Sequence, residues 1–194
     1  MKGKFIIVSG PSGVGKSTAM KAVRKMHPEW KYPLSVKTRD PRPGEVNGEV
    51  DLFISREEFE AKIEAGEFLE WAEYGGNYYG TLLSDIRNGI DNGIILIKEM
   101  EIQGYQIVLE KLDRDEYSSI FIMPDGDYRS LITRITDRAT LSEEELEKRI
   151  QAMEGEMALG REYDYQITSH TDEIPRLIKD LESSVIDAAR SHEK

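Results

Sequence analysis

The sequence predicts an α/β fold with a mostly parallel central sheet flanked by helices. Short apolar runs alternate with segments of helical spacing along most of the chain. The first run, FIIVS at residues 5–9, passes straight into a glycine-rich turn and then a helical pattern, the order in which a buried parallel strand hands over to a helix. A third observation sets part of the chain apart. Residues 35–82 are richer in polar, aromatic and turn residues and read as a mixed α/β insertion between core elements.

The helical pattern KSTAMKAVRKM follows at residues 16–26, and LSVKT at residues 34–38 reads as a second strand. Ser55 and Glu58 have the spacing of a capping box; Phe59 and Ile63 then share a helix face, and Gly66 stops that helix. IILIK (residues 94–98) and SSIFIM (residues 118–123) are two further apolar strands, with a helical stripe of Tyr105, Val108, Leu109 and Leu112 between them. A second capping box, SEEE at residues 142–145, opens a long helix with Leu146, Ile150, Met153 and Met157 on one face, a stripe read as core packing. YDYQITS at residues 163–169 is the expected last strand, and a final helix carries Leu177, Leu181 and Val185.

With 194 residues and no repeat or low-complexity run, the chain is sized for one domain with a real core. Its formal net charge of -11 speaks against general nucleic-acid binding, since phosphate backbones reward net positive charge. There is no cysteine, hence no disulfide framework and no thiolate metal site. The N-terminal stretch MKGKFIIVSG has an apolar run far below membrane-spanning length and no cleavage site. The expectation is a soluble cytoplasmic protein that binds neither nucleic acid nor membrane, as a monomer or homodimer.

SGPSGVGKST, residues 9–18, satisfies G-x-x-x-x-G-K-[ST] through Gly10, Gly15, Lys16 and Ser17. Glycines let backbone N–H groups turn inward around phosphates, the lysine reaches the β and γ phosphates, and the hydroxyl can bind magnesium. The helix that follows adds its positive end. The expected ATP-binding loop is therefore Gly10, Pro11, Ser12, Gly13, Val14, Gly15, Lys16, Ser17 and Thr18, and the sheet is of the P-loop NTPase type. The loop says nothing of the phosphate's destination. Arg39 and Arg42 lie three apart, with Pro41 and Pro43 stiffening the segment. Guanidinium groups bind phosphate oxygens bidentately, so this loop can hold an anionic acceptor. Two solvated arginines in a turn remain the plain alternative at this point.

SGPSGVGKST, TRDPRPGEVNG, GEFLEWAEYGGNYYGT and EIQG, in this order and spacing, resemble guanylate kinase over about residues 3–185. The resemblance implies a nucleoside monophosphate kinase that moves the γ-phosphoryl of ATP to GMP with Mg2+, a step in purine metabolism. It divides the chain into a core (about 1–34, 83–125 and 160–194), a GMP-binding insertion (about 35–82) and a helical lid (about 126–159). By position it assigns Ser35, Arg39, Arg42 and Tyr79 to the GMP phosphate, Glu70, Thr81 and Glu101 to guanine, and Ser17 with Glu99 to the metal. Arg134, Arg138 and Arg149 fall on the lid, Arg134 and Arg138 on the ATP side. The residues expected to act on the reacting phosphates are Lys16, Arg39, Arg42, Arg138 and Arg149. For Arg149 a solvated helix pair with Glu145 competes with that role. The chemistry of the guanine pair stands by itself. A carboxylate accepts both N1–H and the 2-amino group, and a threonine hydroxyl can donate to O6; adenine matches neither.

The chain departs from the family pattern in four places. Asp51 stands where a phosphate-binding tyrosine is usual, Glu99 and Glu101 replace aspartates, Lys98 occupies an apolar strand position, and Ser169 with His170 replaces Asn-Asp near the last strand. Asp51 is expected to repel phosphate unless the backbone register differs, and Lys98 to pair with a neighbouring carboxylate. The three histidines, His27, His170 and His192, read as ordinary surface residues. Besides the GMP kinase reading stand a paralogue of altered acceptor specificity and a non-catalytic module binding a phosphorylated ligand or protein.

Overall fold

The computed structural model describes residues 2–126, 131, 143–170 and 172–191, without the side chains of residues 143, 149 and 152. Eight strands and six helices are described. In chain order they are β1 (Lys4–Ser9), α1 (Lys16–Met26), β2 (Ser35–Lys37), β3 (Asp51–Phe53), α2 (Arg56–Glu64), β4 (Phe68–Tyr74), β5 (Asn77–Leu82), α3 (Leu83–Asp91), β6 (Ile95–Glu99), α4 (Ile102–Lys111), β7 (Tyr117–Pro124), α5 (Glu143–Gly160), β8 (Tyr165–Ser169) and α6 (Ile174–Arg190). They form a parallel sheet of order β6-β1-β7-β8 and a second sheet of order β3-β2-β5-β4. By internal contacts the chain divides into two compact units. One comprises Met1–Phe5, Trp30–Lys98 and Gln103–Tyr117, the other Ile6–Glu29, Glu99–Ile102 and Ser118–Lys194. No described helix is long and apolar enough to cross a membrane.

In the second of these units, Ile6, Ile7 and Val8 of β1 and Ile120, Phe121 and Ile122 of β7 have no solvent exposure, as continuous apolar strands buried on both faces require. β7 and β8 pair in parallel from Ile120 opposite Tyr165 to Pro124 opposite Ser169. α1 buries Ala19, Met20 and Val23, and α6 buries Leu177, Leu181, Val185 and Ala188, each on one stripe. Met153 of α5 is buried as expected. His27 is not the plain surface residue that the sequence suggested. Its ring nitrogens lie 2.8 Å from Glu29 and 2.7 Å from Glu182, and the bond to Glu182, with that to Glu29, raises its pKa. His170 likewise has a partner, with Nδ1 2.7 Å from Asp125 Oδ2. Ser142 of the expected second capping box, and His192, lie outside the described residues.

The other unit holds the small sheet. Ser55 caps α2: its hydroxyl accepts from the Glu58 N–H while the Glu58 carboxylate accepts from the Ser55 N–H. Val36, Phe59 and Phe68 form its apolar cluster, backed by Leu52, Ile54, Ile63, Tyr78 and Leu82. The rings of Phe59 and Phe68 stack at 4.2 Å between centroids. β4 and β5 form a hairpin in which Tyr74 faces Asn77. Gly75 and Gly76, at φ 58° and 75°, make the two-residue turn, a left-handed pair that fits the strands' twist.

The segment around Ser35–Lys37 is a strand, as the sequence suggested, and it pairs with β3 and β5 in the small sheet. A further expectation needs correction. Leu109 is 44 % exposed and falls outside the stripe that buries Tyr105, Val108 and Leu112, because it lies at the margin of the helical face. β3, β4 and β5 within the insertion, and α3 after it, were not resolved from sequence.

Gly80 gives a test of the small sheet's packing. A Cβ there would sit 2.8 Å from the Phe68 ring and 3.0 Å from the Glu70 carbonyl oxygen. Gly80→Ala is expected to destabilise the protein by about 1–3 kcal/mol, as overpacking does, while Leu109→Ala changes stability by less than about 0.5 kcal/mol. Denaturant unfolding of both variants checks this.

Candidate active site

β1 ends at Ser9, whose hydroxyl donates to the Met100 carbonyl at 2.7 Å and anchors the strand end. The chain then turns at Gly10, with φ 150°; any Cβ there would lie 2.5 Å from the Ile122 carbonyl oxygen, so only glycine fits. Val14 and Pro11 are buried and pin the loop from below, while Ser12, Ser17 and Thr18 face solvent. α1 starts at Lys16, so its unpaired N–H groups crown the loop. This is the strand, glycine-rich turn and helix that the spacing predicted.

Lys16 folds back over its own loop. Its ammonium donates to the carbonyls of Gly10 and Pro11 and lies 3.9 Å from Glu99 Oε1. Burial lowers its pKa, against the opposing pull of Glu99, Glu156 and Glu101. The Ser17 hydroxyl donates to Glu99 Oε2 at 3.0 Å. Glu101 is exposed, and its carboxylate acts on Lys16 and also helps burial raise the pKa of half-buried Glu156 on α5. Sequence reading missed Glu156, whose approach to Lys16 depends on how α5 packs. Ser169 is buried, and its backbone carbonyl accepts from Asp125 N–H.

In the small sheet, directly paired residues share a face. Ser35 stands opposite Asp51, Lys37 opposite Tyr79, Tyr79 opposite Ala72, and Thr81 opposite Glu70. Those side chains therefore lie on one face, and Val36, Leu52, Tyr78 and Gly80 on the other. Glu70 joins the polar face only because the register shifts between Phe68 and Glu70. Without that bulge, Glu70 would share the apolar face with Phe68, two residues before it. The register thus places Ser35, Glu70, Tyr79 and Thr81 on one face of the small sheet. Thr81 is fully buried, and its hydroxyl donates to Glu70 Oε1. Its proton is committed to the carboxylate in this arrangement, where the sequence had it facing outward to a base.

The arginine loop is prearranged by a residue that sequence reading passed over. Arg39 makes a fork-to-fork pair with Glu45, at 2.7 and 2.8 Å, and stacks over the Phe53 ring at 5.3 Å. Glu45 also accepts from the Arg42 backbone N–H at 2.8 Å. The Arg42 side chain is exposed. The Arg39 guanidinium, helped by the Arg42 N–H, holds the Glu45 carboxyl down to about 2. Asp51 is not the repulsive carboxylate feared from sequence. It is buried and receives a 2.6 Å bond from Lys37, two residues along the strand beside it. Lys98 also differs from expectation: its ammonium contacts carbonyls and a hydroxyl in place of a carboxylate. Arg134 and Arg138 lie outside the described residues, as does the side chain of Arg149. Among the described residues no cluster of three or more His, Asp or Glu could hold a metal ion.

A parallel sheet whose first strand opens through a glycine-rich loop into a helix defines a fold of the P-loop class. A sequence model of the family "Guanylate kinase" matches residues 2–188. The guanylate kinase of Nostoc sp. is 43 % identical over 169 residues, covering 87 % of this chain and 83 % of that protein. That of Halalkalibacterium halodurans is also 43 % identical, covering 89 % and 83 %. The crystal structure of guanylate kinase from Anaplasma phagocytophilum superposes with a TM-score of 0.70 at 27 % identity, covering 97 % of this chain and 87 % of that one. The chain belongs to the guanylate kinase family.

The Arg39–Glu45 pair sets a pH dependence. A depressed carboxyl pKa contributes stability above the unfolded value of 4.5, and that contribution is lost as pH falls towards about 2. A carbon-detected titration is expected to place the Glu45 midpoint near 2, and Arg39→Met to return it towards 4.5. A wild-type midpoint near 4.5 contradicts the pair.

Proposed function

We propose that the protein transfers the γ-phosphoryl group of ATP to GMP, giving ADP and GDP. Membership of the guanylate kinase family supports the reaction. The observation that carries the reading is the complete cradle, with Lys16, Ser17 and Glu99 gathered in one cluster. A non-catalytic phospho-ligand module has no use for it.

In this reading Lys16 exchanges its loop carbonyls for the donor's β and γ phosphate oxygens, and the α1 N-terminus receives the rest of the polyphosphate. The Ser17 hydroxyl and Glu99 carboxylate are hard oxygen donors, so the residues present suit Mg2+. The ion would offset charge on the departing diphosphate. Residues 35–82 serve as the acceptor-binding insertion. Ser35, Arg39, Arg42 and Tyr79 take the GMP phosphate, and Glu70, oriented by Thr81, accepts the two guanine donors. Glu101 keeps its assignment to the base, and Arg134, Arg138 and Arg149 theirs to the phosphates, within a lid of residues 126–159. Catalysis here is positioning and electrostatics, because the attacking phosphate oxygen is already an anion.

An ADP-release assay with GMP, dGMP, AMP and UMP tests the reading. GMP is expected to exceed AMP and UMP by at least about tenfold in kcat/KM, since mismatched polar groups cost about 1–3 kcal/mol each. Equal rates with AMP, or no release with any acceptor, would refute it. Lys16→Ala is expected to lower kcat by about a hundredfold or more. Arg42→Ala is expected to raise KM for GMP about tenfold and leave that for ATP unchanged.

A further inference from the structure

Lys98 is the one lysine of β6, and it is buried, with 7 % of its surface exposed. Its ammonium has three N–H bonds and meets three acceptors: the carbonyl oxygens of Pro33 and Leu34, both at 3.1 Å, and Ser35 Oγ at 3.0 Å. Each donor is matched, so the side chain has one well-defined position. None of these partners carries a charge. Neutral dipoles solvate the cation locally but do not cancel its field.

The bond to Ser35 has a directional consequence. A serine hydroxyl has one proton. With its oxygen accepting from Lys98, that proton is turned away from the lysine and is free for another acceptor. Ser35 stands on the polar face of the small sheet, opposite Asp51. Asp51 is already occupied by Lys37, so it does not consume the Lys98 charge by direct contact.

We propose that Lys98 is a positioning residue for the acceptor's phosphate, holding the Ser35 hydroxyl as an outward donor and supplying the positive field behind it. This rests on the reading of the protein as a GMP kinase. It also accounts for a lysine at an otherwise apolar strand position, where a leucine or isoleucine would pack at lower cost.

The charged groups facing Lys98 are Glu70 on β4, Asp51 on β3, Lys37 on β2 and Asp85 on α3. Burial lowers the ammonium's pKa to about 8, with Glu70, Asp51 and Asp85 opposing the shift and Lys37 adding to it. The sign of the consequence is definite. Between about 8 and the unfolded value of 10.5 the unfolded chain binds the extra proton, so folding stability rises with pH in that window.

The test is steady-state kinetics on wild type, Lys98→Met, Ser35→Ala and the double variant, with ATP saturating and GMP varied. At pH 7, Lys98→Met is expected to raise KM for GMP about tenfold and to leave kcat and KM for ATP within about twofold. Ser35→Ala raises KM for GMP similarly, and the double variant adds little, since both act through one hydroxyl. An unchanged KM in a turning-over Lys98→Met enzyme overturns the inference alone; a wild type without GMP-dependent ADP release overturns it together with the proposed function. Should Lys98→Met fail to fold, Ser35→Ala decides, and an unchanged KM for GMP in that variant overturns the inference.

Discussion

The small sheet works only because its two faces are kept apart. One face must be dry enough to pack Val36 and Phe68 against Phe59; the other must hold Ser35, Lys37, Asp51, Glu70 and Thr81. Strand alternation does this automatically at most positions. It fails on β4, where Phe68 and Glu70 are two residues apart and need opposite faces. The register shift between them resolves the conflict. A local break in the ladder is thus what permits an apolar anchor and a carboxylate on the opposite, polar face within one strand.

Charge imposes a second constraint. A protein of net charge -11 that receives phosphate must keep its few useful cations from being neutralised by its own carboxylates. Two arrangements coexist, and only the first meets this constraint. Lys16 and Lys98 rest mainly on backbone carbonyls, and burial lowers both pKa values. Lys37 and Arg39 are paired directly, with Asp51 and Glu45. The first arrangement leaves a field that reaches outward; the second fixes geometry.

Legibility in the sequence follows range. The β1–loop–α1 unit was readable because strand, glycines, lysine and serine are consecutive and each has a local cause. The α2 capping box was readable for the same reason. Glu70 and Thr81 were identified by motif, but their mutual hydrogen bond depends on the β4–β5 register, which the bulge sets. Asp51 was misjudged because its partner arrives through the parallel pairing of β2 and β3. Lys98 was noticed as an anomaly, yet its partners lie more than sixty residues earlier in the chain. Glu45 escaped notice because a glutamate in a charged loop has no signature until its fork geometry is seen.

The fork formed by Arg39 and Glu45 has a consequence for discrimination among anions. Glu45 is tethered six residues from its partner, so it competes at a high effective concentration with anything arriving from solution. A chloride or acetate ion offers one charge and no tether, and loses that contest. A phosphate ester brings two charges and three oxygens in a geometry that guanidinium recognises. The tethered carboxylate thus sets a threshold at Arg39 that an untethered monoanion does not reach.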